Sequence, residues 1–462
     1  MKCRILTFLS LVLLCLTVRN SSANPVIVTG RVNRPETMVR LMAYDELLTM
    51  HQKQLAVSYS DQNGFFILEA NIKAITPATI AVGLDEVDVY LSPDASYDVE
   101  IIVPEEDNSI SYFDRPSPRL RVRTASDKGV YRQIVESEQI IDGYVLTYFN
   151  ELYRRRQYRF LDSIRNTLQT EIYPAVDPYV SHHNDYKIAA VQMAINADGG
   201  KRVISEYFDG KPVLYSCISY VDLFKDLFAN KFWQQPYDVA SLEDAFWTSS
   251  KAFKDYLNTD PFMKRNPRLA EMIIVYNLKA MYYEQPKLHK MVKAHLKALG
   301  DSSSFPETKV MVNNVLQDFD RFSTGADAPA FELNDDQGNM VKLDDYQNDH
   351  VLLQFVDGSP NLIDQQLSNL SYLHQQLQDT IKIITIVTKD NIQSYRNYFN
   401  EKNYDWTLLN LGNDVRLLEN YGVKLFPEYV ILLPNKKIGM APAPAPAPNQ
   451  RLEEQVRRLY AK

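Results

Sequence analysis

The hydrophobic periodicity of this chain changes twice, and that pattern constrains its fold more than any single motif. From Val26 to about Pro104, short runs such as "VIVTGRV", "LAVSYS", "FFILEA" and "YDVEIIVP" alternate apolar and polar residues between turns. Alternation at period two gives a strand one buried and one wet face. Residues 24–105 are therefore expected to form a small antiparallel β-sandwich. From Asp127 the apolar spacing becomes three and four, as in "QIIDGYVLTYFNELYRRRQYRFLDSIRNTL" and "PRLAEMIIVYNLKAMYYE". That spacing marks one helix face, and residues 127–322, rich in Tyr and Phe, read as an all-α domain. Between the two, "EEDNSISYFDRPSPRLRVRTAS" has proline punctuation and mixed charge, so residues 106–126 read as a linker. The last stretch, 323–462, alternates apolar strands with amphipathic helices, the pattern of a three-layer α/β domain.

The length of 462 residues exceeds what one core supports. A net charge of −8 leaves phosphate repulsion uncompensated outside local patches, which argues against nucleic acid as a partner. At the N-terminus Lys2 and Arg4 precede an apolar run from Ile5 to Val18, then "RNSSANP" with small Ser21 and Ala23. The run is short for a bilayer span and has the three-part layout of a cleaved secretory signal over residues 1–23. The mature chain is expected to start near Asn24 and to carry no transmembrane segment. An uncleaved anchor is one alternative; lipid attachment at Cys15 is another, against which the bulky Leu14 before it speaks. With Cys3 and Cys15 lost, Cys217 is a single free thiol in the apolar setting "VLYSCISYVDLF", which suits an inert buried sulfur.

Three polar clusters invite functional readings. In "SDQNGFFILEA" Asp61 and Asn63 precede Gly64 as in a calcium loop, but Phe65, Phe66 and Ile67 supply none of the later oxygen ligands. An Asn-Gly hairpin turn is expected instead. Arg154, Arg155, Arg156 and Arg159 fan over more than one helix face, which describes a solvated, ion-paired surface. His182, His183 and Asp185 are adjacent rather than convergent, so no metal site is expected, and no cofactor is implied. Residues 24–105 resemble the transthyretin-like sandwiches of Gram-negative envelope proteins.

The C-terminal stretch carries the most specific pattern. "GADAPAFELND" with "DQGNMVKLDDY", an apolar strand ending at Phe355, and "LENYGVKLFPEYVILLPNKKI" occur in order over about 135 residues. These segments resemble thioredoxin-like proteins, especially exported thiol-disulfide oxidoreductases of the TlpA type and the thiol-peroxidase group. The resemblance makes Pro427, after Phe426, the candidate cis-proline of a peptide-binding cleft. It also places the redox cysteines five and eight residues beyond the strand's last Phe, which here are Pro360 and Ile363. A one-residue shift gives Ser359 and Leu362. Neither frame supplies sulfur, and an alcohol such as Ser359 neither ionises in a helix field nor exchanges with disulfides. The run "APAPAPAP", residues 441–448, reads as a stiff connection before the last helix.

No catalytic residue is therefore assigned. The expectation is an exported cell-envelope protein in the periplasm whose redox-inactive thioredoxin-like domain binds a peptide or protein partner, as part of a larger envelope assembly. Two alternatives stay open. One is an enzyme with a site in or beside the helical domain, drawing on Asp222, Asp226, His182 and Asp185. The other is thiol chemistry through Cys217 with a partner's thiol.

Overall fold

Two four-stranded sheets face each other at the start of the chain, in a computed structural model that describes residues 25–104, 116–196, 198–234, 236–377, 381–388, 391–412, 414–423, 425–447 and 451–460. The expected secretory signal, with Cys3 and Cys15, lies outside the described residues. The strands are β1 (Val26–Val32), β2 (Met38–Glu46), β3 (His51–Tyr59), β4 (Phe65–Ala70), β5 (Thr76–Val82), β6 (Asp85–Leu91), β7 (Ser96–Ile102) and β8 (Arg119–Ala125). One sheet runs β4-β1-β7-β8 and the other β3-β2-β5-β6. Val28, Leu41, Phe66, Ile80 and Val99 fill the space between them, as alternation requires.

The structure corrects three expectations here. The sandwich is not wholly antiparallel: β1 and β7 pair in parallel, from Ile27 with Ser96 to Val32 with Ile101. Residues 119–125, read as linker, form β8, antiparallel to β7 from Tyr97 opposite Ala125. Its arginines face solvent on an edge and mask the alternation, while Leu120 and Val122 touch the core. The Asn-Gly turn is no hairpin, because β3 and β4 belong to different sheets. The Asp61 carboxylate accepts the amides of Asn63 and Phe65, both at 2.8 Å, so its acid serves the loop itself. At Gly64 a Cβ would lie 2.0 Å from the Val32 carbonyl oxygen, so this crossing requires glycine.

β8 feeds the first helix directly. Asp127 accepts the amides of Gly129 at 2.9 Å and Tyr131 at 2.7 Å, and Tyr97 donates to it at 3.4 Å. The longer helices that follow are α1 (Val130–Thr147), α2 (Arg159–Glu171), α3 (Pro178–Ile195), α4 (Ile218–Phe228), α5 (Val239–Thr248), α6 (Ser250–Leu257), α7 (Pro267–Glu284), α8 (His289–Ser302) and α9 (Pro306–Arg321). Helices α3, α4 and α7 are buried on most sides. The sandwich contributes to this core: Leu47 and Leu48, between β2 and β3, are buried within the same cluster as Phe224, Ile273 and Val315. Lys279 on α7 donates to the Thr49 carbonyl at 3.1 Å beside this plug.

The last domain is a seven-stranded sheet between helical layers. Its elements are β9 (Glu332–Asp335), β10 (Met340–Lys342), β11 (Val351–Val356), α10 (Asp364–Leu377), β12 (Lys382–Val387), α11 (Ile392–Lys402), β13 (Thr407–Asn410), α12 (Arg416–Tyr421), β14 (Glu428–Leu433), β15 (Lys437–Met440) and α13 (Arg451–Tyr460). The order is β10-β9-β13-β12-β11-β14-β15, with β11, β12 and β13 parallel and β14 antiparallel to β11. Every residue of β11 is buried. Leu352 and Val356 point to the α10, α11 and α13 layer, Leu353 and Phe355 to the α12 layer, as a central strand of such a sheet must. The Ala-Pro run packs along this domain: Ala443 donates its amide to the Tyr429 carbonyl at 2.7 Å, and Asn369 donates to the Pro446 carbonyl at 3.2 Å. Among the described residues no helix is long and apolar enough to cross a membrane.

Candidate functional site

The C-terminal end of β11 opens into a loop and then a helix start. Phe355 pairs with Glu428, so this loop lies beside the segment that leads into β14. Gly358 takes a φ of 75° to turn the chain. Ser359 follows in extended conformation as the N-cap of a short helical turn, Pro360–Ile363, that runs into α10. Proline at the first helical position suits a turn whose first amides have no partner within the helix. Ser359 is half-buried, and its side chain makes no cap hydrogen bond. Pro360 and Ile363 are buried, whereas Leu362 is 48% exposed. The peptide between Phe426 and Pro427 is cis, and both residues are half-buried. Leu425, just before them, is 60% exposed.

The chain's three cysteines are Cys3, Cys15 and Cys217, and none falls near this helix start. The Asp357 carboxylate accepts hydrogen bonds from the Thr388 hydroxyl and, at 3.2 Å, from the Asn391 amide; Asn391 also donates to Thr388 at 3.0 Å. The loops after β11 and β12 are thereby tied together. Tyr398 on α11 donates to Asp364 at the start of α10. Burial and that neighbouring carboxylate push its phenol well above the usual range. Tyr395 is fully buried, its phenol raised first by burial and then by the charge of Asp357. Among the described residues its hydroxyl has no hydrogen-bond partner.

A second polar set crosses the sheet itself. Gln354, the one polar residue of β11, accepts from Thr385 at 2.8 Å and donates to the Tyr429 hydroxyl at 3.1 Å. Trp406 donates to Thr385 at 2.9 Å, which completes the chain of bonds. A buried polar group is tolerated when satisfied in this way, and the network fixes the register of three strands. Sequence reasoning passed over both polar sets. The lone Gln in "VLLQFV" and the acid in "FVDGSP" are the available signals.

The remaining sequence candidates do not assemble into a site. His183 is fully buried, its Nε2 3.0 Å from Glu138, which also takes Lys187 at 3.4 Å and the Tyr90 hydroxyl at 3.3 Å. This cluster joins the sandwich to α1 and α3. His182 and Asp185 face solvent instead. Asp222 pairs with Lys225 at 3.7 Å, and the pKa of Asp226 is raised first by partial burial and then by the charge of Asp222. Among the described residues no group of three or more acids, histidines or cysteines is arranged to hold a metal. Of the arginine group, Arg155 pairs with Glu151 at 3.8 Å and Arg159 lies over the Phe160 ring at 5.0 Å. Cys217 is 3% exposed, its sulfur 3.3 Å from the Ser219 hydroxyl. It caps α4, where a helix field favours thiolate, yet burial dominates and raises its pKa.

Residues 324–440 match the AhpC/TSA family profile, and the C-terminal part of the chain is a thioredoxin-like domain. A protein of Coxiella burnetii described as a peroxiredoxin is 29% identical over 101 residues, which are 21% of this chain and 66% of that relative. The match thus spans slightly less than two thirds of the relative's length. Among solved structures, the thioredoxin domain of a Bacteroides vulgatus thiol-disulfide oxidoreductase is 24% identical. It covers 29% of this chain and 96% of its own, with a TM-score of 0.27. A secreted disulfide oxidoreductase of Mycobacterium tuberculosis is 17% identical, covering 28% and 95%, with a TM-score of 0.25.

Proposed function

We propose that this chain is an exported envelope protein whose thioredoxin-like domain binds a peptide or protein without exchanging disulfides. The observation that carries the reading is the helix start at Ser359–Ile363, which the family resemblance aligns with a redox centre and which holds no sulfur. Dithiol exchange needs an attacking thiolate and a resolving thiol, and a peroxidase needs the first of these. The cleft beside Pro427 survives loss of the cysteines, because extended peptide is held there by main-chain hydrogen bonds and side-chain pockets. Exposed Leu362 and Leu425 at the same end of β11 and β14 give it apolar contacts. The basic start and apolar run of residues 2–18 support export. A transthyretin-like sandwich and a place in a larger assembly belong to the same reading.

The test is native isolation of the full chain from the envelope, followed by mass spectrometry of co-isolated proteins, for the wild type and for Leu425→Asp. A partner retained by the first and lost from the second is the expected result. A chain that isolates alone, or companions indifferent to the substitution, would remove the binding role. Catalysis of disulfide reduction by the native chain would overturn the redox-inactive assignment.

A further inference from the structure

The helical domain holds a small, partly open pocket with a cavity volume of about 60 Å³. Phe232 and Trp233, from the turn Lys231–Trp233, form one side, and α5 forms another with Leu242, Glu243, Phe246 and Trp247. Glu243 and Trp247 are one helical turn apart, so they share a face and both reach the opening. Trp247 is 55% exposed and Trp233 40% exposed, a large apolar surface for residues that folding normally covers. The floor is rigid: Phe246 meets Phe253 edge to face at 5.3 Å, and Phe253 meets Phe232 at 5.5 Å. His295 behind them is held by Ser250 at 2.8 Å and by the Phe246 carbonyl at 3.0 Å.

The electrostatics of this wall are one-sided. Glu243 is its only charged residue, and Gln285 its only side-chain amide. Lys231, next to the aromatic turn, is engaged with Asp260 at 3.3 Å and stays out of the lining. Indole faces carry negative potential and attract cations more strongly than other aromatic rings do. An opening this small takes a compact group rather than a polymer segment. We infer that the pocket binds a small organic cation, an ammonium group carrying alkyl substituents, seated between Trp233 and Trp247 with Glu243 as its counter-charge.

The experiment titrates the full-length protein with choline and, as a neutral partner of the same shape, 3,3-dimethyl-1-butanol, following tryptophan fluorescence. The third tryptophan, Trp406, is buried in the other domain, so a saturable response that disappears in a Trp233→Phe, Trp247→Phe variant originates in the pocket. Choline is expected to bind about tenfold more tightly than the neutral alcohol. Glu243→Gln is expected to weaken choline about threefold while leaving the alcohol unchanged. Calorimetric titration of the same variants, with melting curves as a check on folding, supplies the second readout. Equal affinity for the two compounds, or no saturable binding of choline, would overturn the assignment. Binding to phosphatidylcholine vesicles without binding of free choline would also overturn it, transferring the pocket to a lipid surface.

Discussion

Arg40 of β2 forms an ion pair with Glu419 of α12, joining the first domain of the chain to the last. The arginine side chain is 4% exposed and the glutamate's 36%, and among the described residues the Arg40 Nε has no partner. A buried guanidinium that loses its main acceptor keeps its desolvation cost. Glu419→Gln is therefore expected to destabilise the protein by about 1–3 kcal/mol, with the loss read in urea melts. Arg40→Met, which removes the buried charge together with its need for a partner, should cost less. Equal losses from the two would mean that the pair carries no such asymmetry.

The leucine plug gives a larger effect. Leu48 is buried in the helical core although it belongs to the sandwich. Leu48→Ala should cost about 2–5 kcal/mol. Hydrogen exchange is expected to show the loss in α7 as well as in β2 and β3. Faster exchange confined to the strands would mean that the sandwich and helices melt separately.

Installing cysteines tests whether the loop after β11 lies where a redox centre of this fold would. The helix geometry favours Ser359, the half-buried N-cap, as the position of an attacking thiol, while the family count favours buried Pro360. The Ser359→Cys, Leu362→Cys pair is expected to form a reducible disulfide and to confer measurable insulin reduction. The Pro360→Cys, Ile363→Cys pair should oxidise more slowly because both sulfurs would be covered. If neither pair oxidises, the loop after β11 does not occupy the redox position of its fold.

Acid should loosen the helical domain through His295. Burial lowers its folded-state pKa below the ordinary value. The unfolded chain then binds this proton more readily, so stability rises with pH between the folded and unfolded values and is lost as pH falls through that window. A His295→Gln variant, able to keep one of the two hydrogen bonds, should show a flatter dependence of melting temperature on pH below neutrality. An unchanged slope would place the acid sensitivity elsewhere.

How far the sequence could be read follows from what periodicity encodes. It reports which face of an element is buried, so β11, the helices of residues 127–322 and the alternating last domain were all legible. Pairing partners are not encoded in that way. The parallel union of β1 with β7 is nonlocal, and β8 hid its alternation behind three arginines on an exposed edge. The tie from Asp357 to Thr388 and Asn391 needs two loops that meet only after the sheet forms. The tryptophan pocket draws on residues scattered between 232 and 288, none of which stands out on its own. By contrast, the sulfur-free helix start was fully visible, because three cysteines can be counted without any coordinates.

The sandwich also fixes where the helical domain starts relative to β1. Ile27 pairs with Ser96, and Ala125 pairs with the next residue, Tyr97, so the chain enters and leaves this domain on either side of one strand. Two strand spacings amount to about 10 Å. The first turn of α1 therefore lies close to the start of β1, and the helical domain leaves the sandwich at the end where the chain enters it.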